Sequence, residues 1–154
     1  MESMVKNSVS KTSLHDVVIV GAGAAGVGVG ATLRHAGIEN FLILDRSTVG
    51  ASFRSWPQET RFITPSFPTN SIGMLDLNAV ALGTSPAVSL RAEHPTGRSY
   101  AEYLELVASH FKLPISNNTD VINIEKVDGE FHIEIDEGIV RSKHLIWAAG
   151  EFQY

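Results

Sequence analysis

Apolar residues fall along this chain in two periods, one suited to strands and one to helices. Leu14 to Val20 (LHDVVIV) is a short β-branched run that ends at glycine, the pattern of a strand buried on both faces of a parallel sheet. Gly23 to Ala36 then reads as a helix, with Gly37 placed to stop it. Asn40 to Leu44 (NFLIL) is a second apolar run closed by Asp45, so strand, helix and strand fit into about thirty residues, as a βαβ unit requires.

From Arg46 to Arg98 the periodicity dissolves. Prolines 57, 65, 68, 86 and 95 lie here, and only Gly73 to Val80 reads briefly as helix. A structureless stretch of this length in a compact domain points to function or to undetected elements. Ser99 opens a clear helix, with a capping box in Ser99 and Glu102, an apolar stripe of Tyr100, Leu104, Val107 and Phe111, and a stop at Pro114.

Three short alternating segments follow. Val121 to Val127 leads through Asp128-Gly129 into Phe131, Ile133 and Ile135. Glu137-Gly138 then turns the chain into Ile139 and Val140, which predicts a three-stranded antiparallel meander. The last apolar run, His144 to Ala148, resembles the first strand and reads as a further strand of the parallel sheet.

Length and composition narrow the class. A chain of 154 residues, 44% hydrophobic and 19% charged, suits one globular domain, here residues 14–154 behind a polar leader of residues 1–13. The leader lacks the apolar core of a secretion signal and the chain has no apolar run of membrane length, so a cytoplasmic location without membrane contact is expected. A net charge of −5 with no basic run argues against nucleic acid as a partner. With no cysteine, dithiol chemistry and thiolate metal sites are excluded from these residues, and any electron transfer must use a bound cofactor.

Candidate chemistry concentrates in VVIVGAGAAG. A dinucleotide loop needs one glycine for the turn off the strand, a second for close backbone approach to pyrophosphate and a third for helix-on-strand packing. Gly21, Gly23 and Gly26 occupy these places, and the phosphates would rest on unpaired amides at the helix N-terminus. Gly28 and Gly30 read as packing residues. Asp45 stands at the end of the second strand, about twenty residues on, where an acid accepts hydrogen bonds from ribose hydroxyls and repels a 2′-phosphate. FAD or NAD(H) is therefore favoured over NADP(H) at this site. The competing reading of Asp45 is a turn-initiating residue.

With VVIVGAGAAG, LILDR and IWAAGEF, the chain resembles the N-terminal FAD-binding portion of flavin-containing monooxygenase-like oxidoreductases, within the two-dinucleotide-binding-domain flavoproteins. The resemblance implies an α/β, three-layer Rossmann-type fold, a parallel sheet with an inserted three-stranded β-meander. It places the last strand beside the first, on the side away from the strand of Asp45. Ala148-Ala149-Gly150 stands where the family carries an Ala-Thr-Gly-like motif, with Ala in place of Thr.

Carried over by position, the site is lined by Gly21, Gly23, Ala24, Ala25, Gly26, Asp45, Arg46, Ala149 and Gly150. Gly50-Ala51-Ser52-Phe53, with Trp56 after it, matches a Gly-Gly-Thr-Trp loop near the flavin, adding Ser52, Phe53 and Trp56. Glu59 to Pro68 looks like a segment that passes over the isoalloxazine, with Arg61 or Thr64 as contacts, although Arg61 reads equally well as a solvated side chain. Val121 matches a position whose main chain meets the adenine; its side chain reads as core.

The resemblance further implies NAD(P)H as reductant, a second nucleotide-binding domain outside these residues, and an NAD(P)H-dependent flavin oxidoreductase or monooxygenase acting on a small organic substrate. The alternative is a non-catalytic FAD- or NAD-binding module, or a degenerate fragment, acting only with a partner chain or through self-association. The six histidines show no HExxH or i, i+4 pairing, so no metal site is expected, and no GxSxG elbow supports hydrolysis.

Overall fold

The computed structural model describes residues 13–66 and 76–150. The leader before Ser13, Pro68 and the first part of the helix expected over Gly73 to Val80 lie outside them. The elements are β1 (Leu14–Val20), α1 (Ala24–His35), β2 (Phe41–Leu44), α2 (Ala51–Arg54), α3 (Pro86–Leu90), α4 (Gly97–His110), β3 (Ile115–Ser116), β4 (Val121–Val127), β5 (Glu130–Ile135) and β6 (Gly138–Trp147).

The strands form a single sheet in the order β3-β2-β1-β6-β5-β4. Its β3-β2-β1-β6 part is parallel, and β4-β5-β6 is an antiparallel meander. β6 lies beside β1 on the side away from β2, as the resemblance implies, and the fold is Rossmann-like, an α/β sheet with a parallel core and an antiparallel meander.

Alternation along β1 organises the core. Val17 and Ile19 enter a cluster with Val27 and Ala31 of α1 and with Tyr100, Tyr103, Leu104 and Val107 of α4. Val18 and Val20 face the other way, into a cluster with Leu44 and with Ile133, Ile135 and Val140 of the meander. The parallel sheet is thus covered by helices on one face and by the meander on the other, which is why β1 reads as a continuous apolar run. Val18, Ile19, Ile43 and Leu44 are fully buried, each contributing about 1.5–3 kcal/mol by removal from water.

Helix α1 ends as expected at Gly37, whose φ of +76° belongs to the left-handed region. The Gly37 amide donates to Arg34 O and the Ile38 amide to Leu33 O, a Schellman closure.

Several expectations need correction. Helix α4 begins two residues before Ser99, and its cap is Thr96, whose hydroxyl accepts from the Ser99 amide at 3.1 Å. The Ser99–Glu102 box is therefore displaced by a better-placed threonine. Pro114 does not stop α4; a second Schellman closure does, with Lys112 at φ +49° and the Leu113 amide bonded to Ala108 O. The segment from Ile139 to Ala148 is not two strands but one, because β6 pairs with β5 along its first half and with β1 further on.

The second hairpin turn is Asp136-Glu137, with Gly138 opening β6 opposite Ile135. Residues 76–80 form turns rather than helix. The stretch from Arg46 to Arg98 instead contains the short helices α2 and α3, and two-residue β3 adds an edge strand beside β2. All three elements are too short to carry a period.

Candidate functional site

The glycine loop crosses from β1 to α1 at the carboxyl ends of the parallel strands, and its glycines do three different things. Gly21 has φ +107°, and a Cβ there would overlap the Ala148 carbonyl, so this glycine permits both the turn and the close approach of the β6 end. A Cβ on Gly26 would overlap the Gly21 carbonyl, which makes Gly26 the contact between helix and strand. Gly23, by contrast, has an ordinary φ of −79° and nothing within 4 Å of an added Cβ. The chain itself gives no steric reason for glycine at that position, and the space it leaves is open.

The loop is also fixed by hydrogen bonds. The Gly21 amide donates to Leu44 O at 2.7 Å, and the Ala22 amide to Asp45 Oδ2 at 2.6 Å. Ala22 O accepts from the Gly50 amide at 3.0 Å. Helix α1 starts at Ala24 with no side-chain cap and no acid in its first turn. Its first amides and the helix dipole are thus left facing an open cradle suited to an anion.

Asp45 shows the turn geometry of the competing reading and also ties that turn to the glycine loop. Its Oδ1 accepts from the Ser47 amide at 2.8 Å, an Asx turn, while Oδ2 reaches across to the glycine loop. A carboxylate has about four acceptor positions, so two backbone bonds leave capacity for hydroxyl donors. The Thr119 amide donates to Asp45 O and the Asn118 amide to Ser47 O, which brings the approach to β4 alongside the acid.

The structure brings Gly21, Gly23, Ala24, Ala25, Gly26, Asp45, Ala149 and Gly150 to one end of the parallel strands. Arg46 is exposed just beyond Asp45. Val121 begins β4 two residues after Thr119, and its side chain packs on the meander cluster, in line with the core reading.

Ser52 is exposed, whereas Phe53 and Trp56 join a ring cluster on α4. Phe53 meets Tyr100 edge-on at 4.9 Å and lies 5.3 Å from Trp56, and Phe62 is 4.4 Å from Tyr100. Burial raises the phenol pKa of both Tyr100 and Tyr103 above the ordinary value.

The segment containing Arg61 and Thr64 is pinned on two sides. The Phe62 amide donates to Pro95 O and the Ser66 amide to Glu93 O, while the Asn78 carboxamide donates to Thr64 O and Ser66 Oγ. Asp76 anchors this arrangement from inside. It is 1% exposed and accepts from the Asn78 amide, the Ser85 hydroxyl and the Ala87 amide. Asp76 does not stand out by sequence alone, because it sits in a stretch without periodicity; Gly50 opens the Gly50-Ala51-Ser52-Phe53 match, but its contact with Ala22 carries no sequence signal. Among the described residues no group of three or more His, Asp or Glu side chains is arranged to hold a metal ion, and no helix is long and apolar enough to cross a membrane.

Residues 18–154 match the family described as pyridine nucleotide-disulphide oxidoreductase, and the chain belongs to it. It is 29% identical over 140 residues to the oxidoreductase CzcO of Bacillus velezensis, covering 90% of this chain and 37% of that protein. Its fold is similar to the bacillithiol disulfide reductase Bdr of Staphylococcus aureus, with a TM-score of 0.73 at 18% identity, over 90% of this chain and 39% of that one. It is likewise similar to the flavin-containing monooxygenase of Stenotrophomonas maltophilia, with a TM-score of 0.67 at 22% identity, over 88% and 38% of the two chains. The chain thus spans well under half the length of these relatives and corresponds to their N-terminal FAD-binding part.

Proposed function

We propose that this member of the pyridine nucleotide-disulphide oxidoreductase family binds FAD, as the cofactor-binding part of an NAD(P)H-dependent flavin oxidoreductase or monooxygenase acting on a small organic substrate. The observation that carries the reading is Gly23, a glycine in ordinary backbone conformation facing open space, between two glycines whose Cβ atoms the fold forbids. Such a position is explained by a ligand that must approach the backbone.

The residues present fit the dinucleotide. The amides of Ala24, Ala25 and Gly26 would hold the pyrophosphate at the start of α1, with no cationic side chain required. Asp45 would accept from the ribose hydroxyls through the positions its two backbone bonds leave open. Ala149 and Gly150 bring only small residues to the neighbouring strand end. Bound flavin supplies the hydride and oxygen chemistry, while the chain supplies position, charge and exclusion of water.

Titration of the purified chain with FAD and with NADH, followed by flavin fluorescence quenching and calorimetry, tests the assignment. FAD is expected to bind, and Asp45→Ala to weaken it by roughly 1–3 kcal/mol through lost charge-assisted hydrogen bonds. NADH binding without FAD binding would overturn the flavin reading, and unchanged affinity in Asp45→Ala would remove that residue from the site.

A further inference from the structure

Ala22, between the first two glycines of the loop, has both of its peptide groups engaged by residues from other elements. Asp45 takes the amide. The carbonyl is taken by the Gly50 amide at 3.0 Å. Gly50 is itself held in a narrow position: its φ is +69°, and an added Cβ would lie 2.9 Å from both Cα and Cβ of Ala101, which is fully buried on α4. Neither Ala101 atom can rotate aside, since one is the Cα and the other a methyl fixed directly to it. Through this one residue the loop is braced against α4, while the acid holds the Ala22 amide.

We infer that Gly50 is a positioning residue for the dinucleotide: it fixes the Ala22 carbonyl and thereby aims the amides of Gly23 to Gly26 at the ligand. Asp45 and Gly50 act as the two jaws of a clamp on a single residue, one on each of its peptide units. A side chain at Gly50 must displace either the Gly50 amide from Ala22 or the 50–54 turn from α4, and each movement changes the direction of the loop. This rests on the FAD reading above.

Two other glycines separate this role from ordinary backbone strain. Gly37 and Gly83 have φ values of +76° and +75°, close to that of Gly50, and an added Cβ at either meets nothing within 4 Å. Alanine at any of the three incurs a similar conformational cost, but only Gly50→Ala presses on the loop.

The test compares Gly50→Ala, Gly37→Ala and Gly83→Ala by FAD titration and by thermal unfolding, alongside amide hydrogen exchange of the wild-type chain without ligand. The expected result is FAD affinity reduced roughly tenfold in Gly50→Ala, the scale of one hydrogen bond, and unchanged in the other two despite a lowered Tm. The Gly50 and Ala22 amides of the wild type should exchange slowly, a readout that stands even where Gly50→Ala does not fold. Equal FAD affinity in all three variants, or rapid exchange at Gly50, would overturn the inference. Absence of FAD binding by the wild-type chain would instead overturn the cofactor reading on which it rests.

Discussion

The glycine loop and the described parts of the segment between Ser55 and Thr96 are both irregular backbone, but they are held by opposite means. The loop is fixed almost wholly by main-chain groups: Gly21 to Leu44, Ala22 to Gly50, and helix against strand through Gly26. Among the described residues its side-chain anchor is Asp45. The long segment has two long-range main-chain ties, Phe62 to Pro95 O and Ser66 to Glu93 O, but leans mainly on side chains reaching distant backbone: Asp76 to Ala87, Asn78 to Thr64, Tyr100 to Asn78 O, and Tyr103 to the Val80 amide. A backbone-held site tolerates little change in residue size, whereas a side-chain-held segment depends on particular polar atoms staying paired.

Substitution at Gly26 should break the first arrangement most severely. A Cβ there falls on the Gly21 carbonyl, so Gly26→Ala is expected to lose more than about 2 kcal/mol in chemical denaturation. The long segment should have its own breaking point at Asp76. Asp76→Ala leaves the Ala87 amide and the Ser85 hydroxyl without their acceptor, and about 2–3 kcal/mol of stability should be lost. Limited proteolysis should then cut first within residues 55–96, while the loop keeps its protection. Equal sensitivity of both regions would erase the contrast between them.

A smaller effect concerns the opposite end of β1. His15 faces Ser142 across the β1–β6 pair, and both of its ring nitrogens are buried, as is the Ser142 hydroxyl. Desolvation holds the imidazole below its ordinary pKa of 6.5, with Asn40 and Asp16 opposing; Lys143 and His144 lie on the facing strand. A base depressed in the folded state binds protons more readily when unfolded. Its contribution is therefore complete above pH about 6.5 and declines as the pH falls below that value. Tm measured from pH 7.5 to 5 should fall, and His15→Phe should flatten that slope. An unchanged slope would remove His15 as the cause.

The same difference in construction explains what could be read in advance. β1, α1, β2 and the meander announce themselves by apolar period and by Gly21, Gly37 and Asp128-Gly129, because local residue type decides local backbone there. The parallel partner of β1 was legible as a strand, but not as the continuation of the meander, since nothing in a run of alternating residues marks where a strand changes neighbour. Thr96 does not stand out as the cap in the sequence, because Ser99 with Glu102 makes the more familiar pattern three residues on. Asp76, Asn78 and the brace made by Gly50 leave no mark in the sequence for a common reason: their partners, Thr64, Ser66, Ala87, Ala22 and Ala101, are brought close only by the folded chain.

The measurement that bears most directly on the cradle is Gly23→Ala, read for stability and for FAD affinity together. Its added methyl meets no atom of the protein and its φ suits alanine. Stability should stay within about 0.5 kcal/mol of the wild type, while FAD affinity falls by roughly tenfold or more as the methyl occupies the ligand's path. Unchanged affinity at unchanged stability would contradict the account, because the open space at Gly23 would then hold nothing.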